Sequence, residues 1–180
     1  MQYRLSNADM LLVAQVGALR NIRGLSHGYP DRAGFQNTEG QGWALHIEGA
    51  AGEFIVARYL GMYWGIELNN FRDGDLDGID IKTSAHDTGR LIVKPGDSPD
   101  LIFVLVIGKI PLFRIAGWAY GHEVLQNKYL TKLAPNSPEA YAMPQKDLHS
   151  IIGLKHIVIR QSLAKMDREE DAYDSRYVAS

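Results

Sequence analysis

Cysteine is absent from the 180 residues. Disulfide scaffolds and thiolate metal sites are thereby excluded, and a reducing cytosol is compatible with the chain. No run approaches the roughly 18 apolar residues that a membrane-spanning helix needs. The longest candidate, Leu101 to Ile107, is far too short. The first residues, MQYRLSNADMLLVAQVGALR, hold a modest apolar run broken by polar residues. That run has neither a sustained signal-peptide core nor a cleavage site, so a cytoplasmic protein with no membrane partner is expected. Charge of one sign is lacking too, with a net charge of -2 and a pI of about 6.3. A passive nucleic-acid binder is often strongly basic. An enzyme that gathers carboxylates around a cation need not be, because the cation restores local positive potential. Also missing are internal repeats, low-complexity tracts, a glycine-rich phosphate loop, a Gly-x-Ser-x-Gly elbow and a His-Glu-x-x-His helix.

The chain is otherwise ordinary globular material, 46% apolar and 22% charged residues, enough for one domain with arms at the ends. Residues 1–41 are expected to form an N-terminal helix and loop arm. Ser6 and Asp9 resemble a capping box, which predicts a helix from Asn7 to Arg20. After it, His27-Gly-Tyr-Pro-Asp31 and Thr38-Glu-Gly-Gln41 read as loop, punctuated by Gly and Pro. Arg20, Arg23 and Arg32 gather in this part of the chain, as a solvated surface or as phosphate contacts of an arm. Residues 42–166 are expected to be the core domain. In it a helix runs from Gly42 to Leu60, with Leu45, Gly49, Gly52, Val56 and Leu60 on one stripe. Strands come next over Ile66–Phe71, Ile79–Ser84, Leu91–Lys94, Leu101–Ile107 and Leu112–Tyr120. The unbroken apolar run 101–107 reads as a central strand covered on both faces, and Lys109-Ile-Pro111 as the turn of a hairpin. Gln145 to Ile151 reads as a short helix and His156 to Arg160 as a short strand. Residues 167–180 read as a polar tail. The order predicts an α/β (α+β) fold with a central mixed β-sheet flanked by helices.

Chemistry concentrates in Asp73-Gly-Asp75-Leu-Asp77-Gly-Ile-Asp80-Ile-Lys82-Thr-Ser84, with four carboxylates in eight residues. A group so dense calls for a cation or for solvent. Strand alternation puts Asp80 and Lys82 on one face and Ile79, Ile81 and Thr83 on the other. Asp75 precedes the strand in a Gly-containing turn that can fold back toward Asp80. Two carboxylates there suit Mg²⁺, which takes hard oxygen ligands and promotes phosphodiester hydrolysis. Lys82 can orient the attacking water and offset developing charge. Asp73 and Asp77 are rivals to Asp75, but Asp77 leaves little chain in which to turn. Asp73-x-Asp75-x-Asp77-Gly78 also matches the start of a calcium loop. Its twelfth position is Ser84 rather than Glu, and its flanks read as strands.

Gly74-Asp75 followed by Asp80-Ile81-Lys82 resembles the motif of the PD-(D/E)XK nuclease superfamily, closest to small phage-type members. The upstream helix His46 to Leu60 is similar to the helix preceding that family's core. The likeness spans His46 to Glu123, with Gly where the motif has Pro and a short spacing from Asp75 to Asp80. It implies a restriction-endonuclease-like core and a metal-dependent deoxyribonuclease using Mg²⁺ or Mn²⁺. Asp75, Asp80 and the Ile81 carbonyl would hold the metal, Lys82 would act on the attacking water, and Glu53 would assist. DNA as the partner comes from the resemblance alone. Thr83, Ser84, His86 and Arg90 are candidate contacts to the nucleic-acid backbone, with Lys94 and His46 beside them. An inactive nuclease fold with a binding or structural role is the alternative. Small nucleases often pair to cut two strands, so a homodimer is compatible, although no dimer surface is legible in the sequence.

Overall fold

A computed structural model of the protein describes residues 2–27, 41–65, 75–135, 137–160 and 163. Strand β1 (Gln2–Arg4) opens the chain and helix α1 (Asn7–His27) comes after it. The capping box forms with Asp in place of Glu. The Ser6 N–H donates to Asp9 Oδ2 at 2.9 Å and the Asp9 N–H to Ser6 Oγ at 3.2 Å. The helix does not stop at Arg20 as expected but runs on to His27. Asn21, 8% exposed, packs at the start of the next helix beside Gly42. Tertiary contact thus overrides the weak helix propensity of Asn21 and Gly24.

Helix α2 (Gln41–Leu60) lies between α1 and the sheet. It is apolar nearly all round because it is covered on two sides. Ala50, Ala51, Ile55, Val56, Ala57 and Leu60 are buried, whereas Leu45, expected on the buried stripe, is 55% exposed. A Cβ on Gly17 would meet Ile47 Cα at 2.6 Å, so α1 and α2 cross at backbone contact there.

The strands are β2 (Ile79–Ser84), β3 (Leu91–Val93), β4 (Ile102–Lys109), β5 (Leu112–Tyr120), β6 (Leu130–Lys132) and β7 (Glu139–Met143). A four-stranded mixed sheet has the order β1-β5-β4-β2, with β2 parallel to β4 and the other pairs antiparallel. A second, antiparallel sheet has the order β3-β7-β6. β4 is the central strand expected from its apolar run. Its Ile102, Val104 and Val106 join the core under the helices, and Phe103, Leu105 and Ile107 join a core shared with β3 and β7. A mixed sheet flanked by helices is therefore observed, as expected.

Several expectations change. Residues 151–160, read partly as a strand from His156 to Arg160, are helical throughout. Ile151, Leu154, Ile157 and Val158 fall at helical spacing on the core under α1 and α2, and this outweighs the β-branched run Ile157-Val-Ile159. The short helix expected from Gln145 to Ile151 is a single 3-10 turn, Gln145–Asp147. Residues 2–27, expected as part of an arm, contribute Leu5, Val13 and Val16 to the main core. The loop read after α1, the strand Ile66–Phe71 and the tail 167–180 lie outside the described residues.

Candidate functional site

Among the described residues β2 is an edge strand, and the chain enters it through a tight turn. The Leu76 N–H donates to the Ile79 carbonyl at 2.9 Å and the Ile79 N–H to the Leu76 carbonyl at 2.5 Å, leaving Asp77 and Gly78 between them. Gly78 has φ 75°, which a residue with a Cβ adopts only at a cost of roughly 1–2 kcal/mol. The turn folds Asp75 back opposite Asp80. There Asp75 Oδ2 accepts the Ile81 N–H at 2.7 Å, satisfying a backbone donor that points to the open edge of the sheet. The Ile81 carbonyl shares that edge, since both backbone groups of a strand residue face the same side. Asp77 is exposed at the turn. β2 also runs on to Ser84, the twelfth position, where a calcium loop passes into its second helix.

Asp80 and Lys82 fall on one face of β2, in register with Phe103 and Leu105 of β4. Lys82 Nζ lies 2.6 Å from Asp80 Oδ1 and 5.6 Å from the centre of the Phe103 ring. Asp80 Oδ1 is buried yet receives no well-directed hydrogen bond. The ion pair therefore neutralises Asp80 without filling its acceptor capacity.

Glu53 approaches from α2. It is 5% exposed and holds Arg20 of α1 through both of its oxygens, the second bond being 2.7 Å, while Trp64 Nε1 donates to it at 3.3 Å. Burial works against the Arg20 charge, but bonding to Glu53, with the charges of Glu53 and Asp75, raises its pKa. Arg20 is thus neither a solvated surface residue nor a loop arm. No signal in the sequence links positions 20 and 53, because only the crossing of α1 over α2 brings them together.

Asp75 completes the group. The residue keeps solvent exposure as a whole, while its carboxyl turns inward onto the Ile81 N–H. Desolvation, followed by the charges of Glu53 and Asp80, pushes its pKa up to about 7 against the pull of the Ile81 N–H and Lys82. Two of the three carboxylates therefore have their own counter-charge, Glu53 a guanidinium and Asp80 an ammonium, while Asp75 has the Ile81 N–H. Among the described residues no three His, Cys, Asp or Glu side chains already converge as a ligand cluster. The donor set on offer is Asp75, Asp80 and the Ile81 carbonyl.

The structure thus gathers Glu53, Asp75, Asp80, Ile81 and Lys82. The expected nucleic-acid contacts lie around that group rather than within it. Thr83 faces α2, where a Cβ on Gly52 would collide with its hydroxyl, and Thr83 Oγ1 is buried with no partner. Ser84 takes part in the turn after β2, accepting the His86 N–H at 3.3 Å. Four residues of strand separate Ser84 from Asp80, about 13 Å. His86 and Arg90 are exposed at that far end. His46 is exposed two helical turns before Glu53, about 10 Å along α2. The main-chain N–H of Lys94 donates to Asp97 Oδ2 at 2.9 Å in a turn after β3. His149, one of the scattered histidines, meets both Glu123 oxygens at 2.9 Å and lies outside the group. No helix among the described residues is long and apolar enough to cross a membrane. In comparison with known proteins, no protein-family model, curated protein or solved structure matches this chain.

Proposed function

We propose that the protein is a metal-dependent nuclease that hydrolyses DNA phosphodiester bonds on a restriction-endonuclease-like core. The observation that carries this reading is the Asp77-Gly78 turn, which sets Asp75 opposite Asp80 with Lys82 on the same strand. Mg²⁺ or Mn²⁺ fits the residues present. Two carboxylates and a carbonyl are hard oxygen donors, and Asp80 Oδ1 is buried without a directed donor. Asp75, Asp80 and the Ile81 carbonyl would hold the cation. When bound, it supplies polarisation of a phosphoryl oxygen and a lowered pKa for water.

The side chains of the chain do the rest. Lys82, released from Asp80, donates to the attacking water or a non-bridging phosphate oxygen and offsets charge that builds in the transition state. Glu53, fixed by Arg20 and Trp64, presents a rigid negative wall behind Asp75. DNA, rather than RNA, is taken from the resemblance of the motif.

One observation favours the second reading, an inactive nuclease fold with a binding or structural role. Two of the three carboxylates are already paired with cations, Glu53 with Arg20 and Asp80 with Lys82. A single experiment separates the two. Supercoiled plasmid and labelled linear and single-stranded DNA are incubated with the protein in Mg²⁺, Mn²⁺, Ca²⁺ or EDTA, beside Lys82→Ala. Cutting in Mg²⁺ or Mn²⁺ that disappears in EDTA and in the variant supports the enzyme. A folded protein that binds DNA and cuts none of the substrates supports the second reading.

A further inference from the structure

The outward side of α1 is unlike that of a solvated helix. Its exposed residues are Asn7, Ala8, Leu11, Leu12, Gln15, Leu19, Ile22, Leu25 and Ser26. None of these carries a charge, and five are large aliphatics. Leu11 is 63% exposed, Leu12 37%, Leu19 45%, Ile22 50% and Leu25 71%. At 100° per residue the five fall within an arc of roughly 140°, opposite the side that packs on α2 through Val13, Val16 and Gly17. The charged residues of the helix whose side chains are described, Asp9, Arg20 and Arg23, are all half-buried. A helix facing water normally turns its charges outward, and an uncharged apolar face of this size is at the upper end of what monomers show and is often functional.

We infer that this face of α1 is the interface of a homodimer, packed on α1 of a second copy about a two-fold axis. Three features select a second copy over another partner. The stripe is self-complementary. Antiparallel pairing about the Ala18–Leu19 level sets Leu11 of one copy near Leu25 of the other and Leu19 near its own mate. The stripe holds no charge, and at a two-fold axis a charge would meet its own copy. Its size also suits one pair of helices. The five aliphatics leave on the order of 500 Å² open, more than half of the ~800 Å² per partner of a standard interface. Leu11 to Leu25 span about 21 Å of helix, enough for two to three turns of side-chain interlock. The inference does not depend on nuclease activity.

Sedimentation equilibrium of the full chain at tens of micromolar tests it, with Leu19→Glu/Ile22→Glu as the variant. Both residues are exposed in one copy, so circular dichroism and the melting curve monitor the fold independently. A wild-type mass of twice 20.1 kDa is expected. The variant should remain folded and dissociate at least about tenfold more readily. Because the chain has no cysteine, Leu19→Cys alone should also form an intermolecular disulfide on oxidation, while Lys128→Cys on the other side of the molecule should not. A monomeric wild type, with the stripe covered by other residues of the chain or left bare, would overturn the inference. So would a dimer that the glutamates leave intact, or equal cross-linking by the two cysteines.

Discussion

At the scale of single residues, Asp75 and Lys82 carry the tests. Lys82 is one-third exposed, and among the described residues its ammonium reaches Asp80 and the Phe103 ring. Lys82→Ala should therefore keep the fold and lower turnover by at least about 10²-fold, the usual worth of one transition-state donor. Steady-state cleavage beside a melting curve checks this. Asp75 governs the pH dependence. Its folded pKa of about 7 lies above the ordinary 3.8, so the folded state holds the proton that the unfolded chain has already lost. The Asp75 contribution to stability is then full at low pH and fades as pH rises from about 4 to about 7. Asp75→Asn, which still accepts the Ile81 N–H, should gain in melting temperature on the wild type between about pH 5 and 8. Mn²⁺ should raise the wild-type melting temperature more at the upper end of that range, where no proton competes. Parallel slopes for the two proteins would remove Asp75 from this role.

At the scale of elements, the hairpin turn and the crossing of α1 and α2 build the site. Gly78→Ala forces a Cβ into φ 75°. It should cost about 1–2 kcal/mol by denaturant titration and lower activity beyond that loss, because Asp75 loses its place opposite Asp80. Asp77→Asn at the same turn should do neither. Glu53 and Arg20 couple the helices. Glu53→Ala strands a half-buried guanidinium, and because Arg20 keeps 22% of its side-chain exposure the cost should be about 2–3 kcal/mol, below the full buried-pair range. Glu53→Ala/Arg20→Leu should recover most of that stability without recovering activity. A double variant with wild-type turnover would leave Glu53 a purely structural role.

For the whole molecule, β4 is the shared wall of both cores. Phe103 is wholly buried on the side of β3 and β7, while its neighbours Ile102 and Val104 are buried under the helices. Removing the ring damages one core through a strand that the other also needs. Phe103→Ala should thus cost about 3–5 kcal/mol and lower the melting temperature as one transition. Calorimetry that resolved two peaks would show that the layers fold separately.

Much was legible in the sequence for reasons of local physics. The run 101–107 declared a strand buried on both faces because it has no polar alternation. The alternation of Ile79, Ile81 and Thr83 with Asp80 and Lys82 declared the two faces of β2. Gly78 beside Asp77 declared the turn, and Ser6 with Asp9 declared the start of α1. Where local signals competed, the reading failed. Ile157-Val-Ile159 favours a strand by propensity, yet the helical spacing of Ile151, Leu154 and Val158 found a core to fill. Thr83, a candidate substrate contact because it follows the acidic strand, sets its hydroxyl against Gly52 of α2. Along the chain itself, local physics determined the pattern of each element and the identity of Asp75, Asp80 and Lys82, whose spacing is short enough for one hairpin to join. Partnerships between distant positions were decided only in three dimensions. Arg20 meets Glu53, and an uncharged stripe of α1 is left facing outward, because helix packing sets which residues thirty positions apart share a contact, and no local period records it.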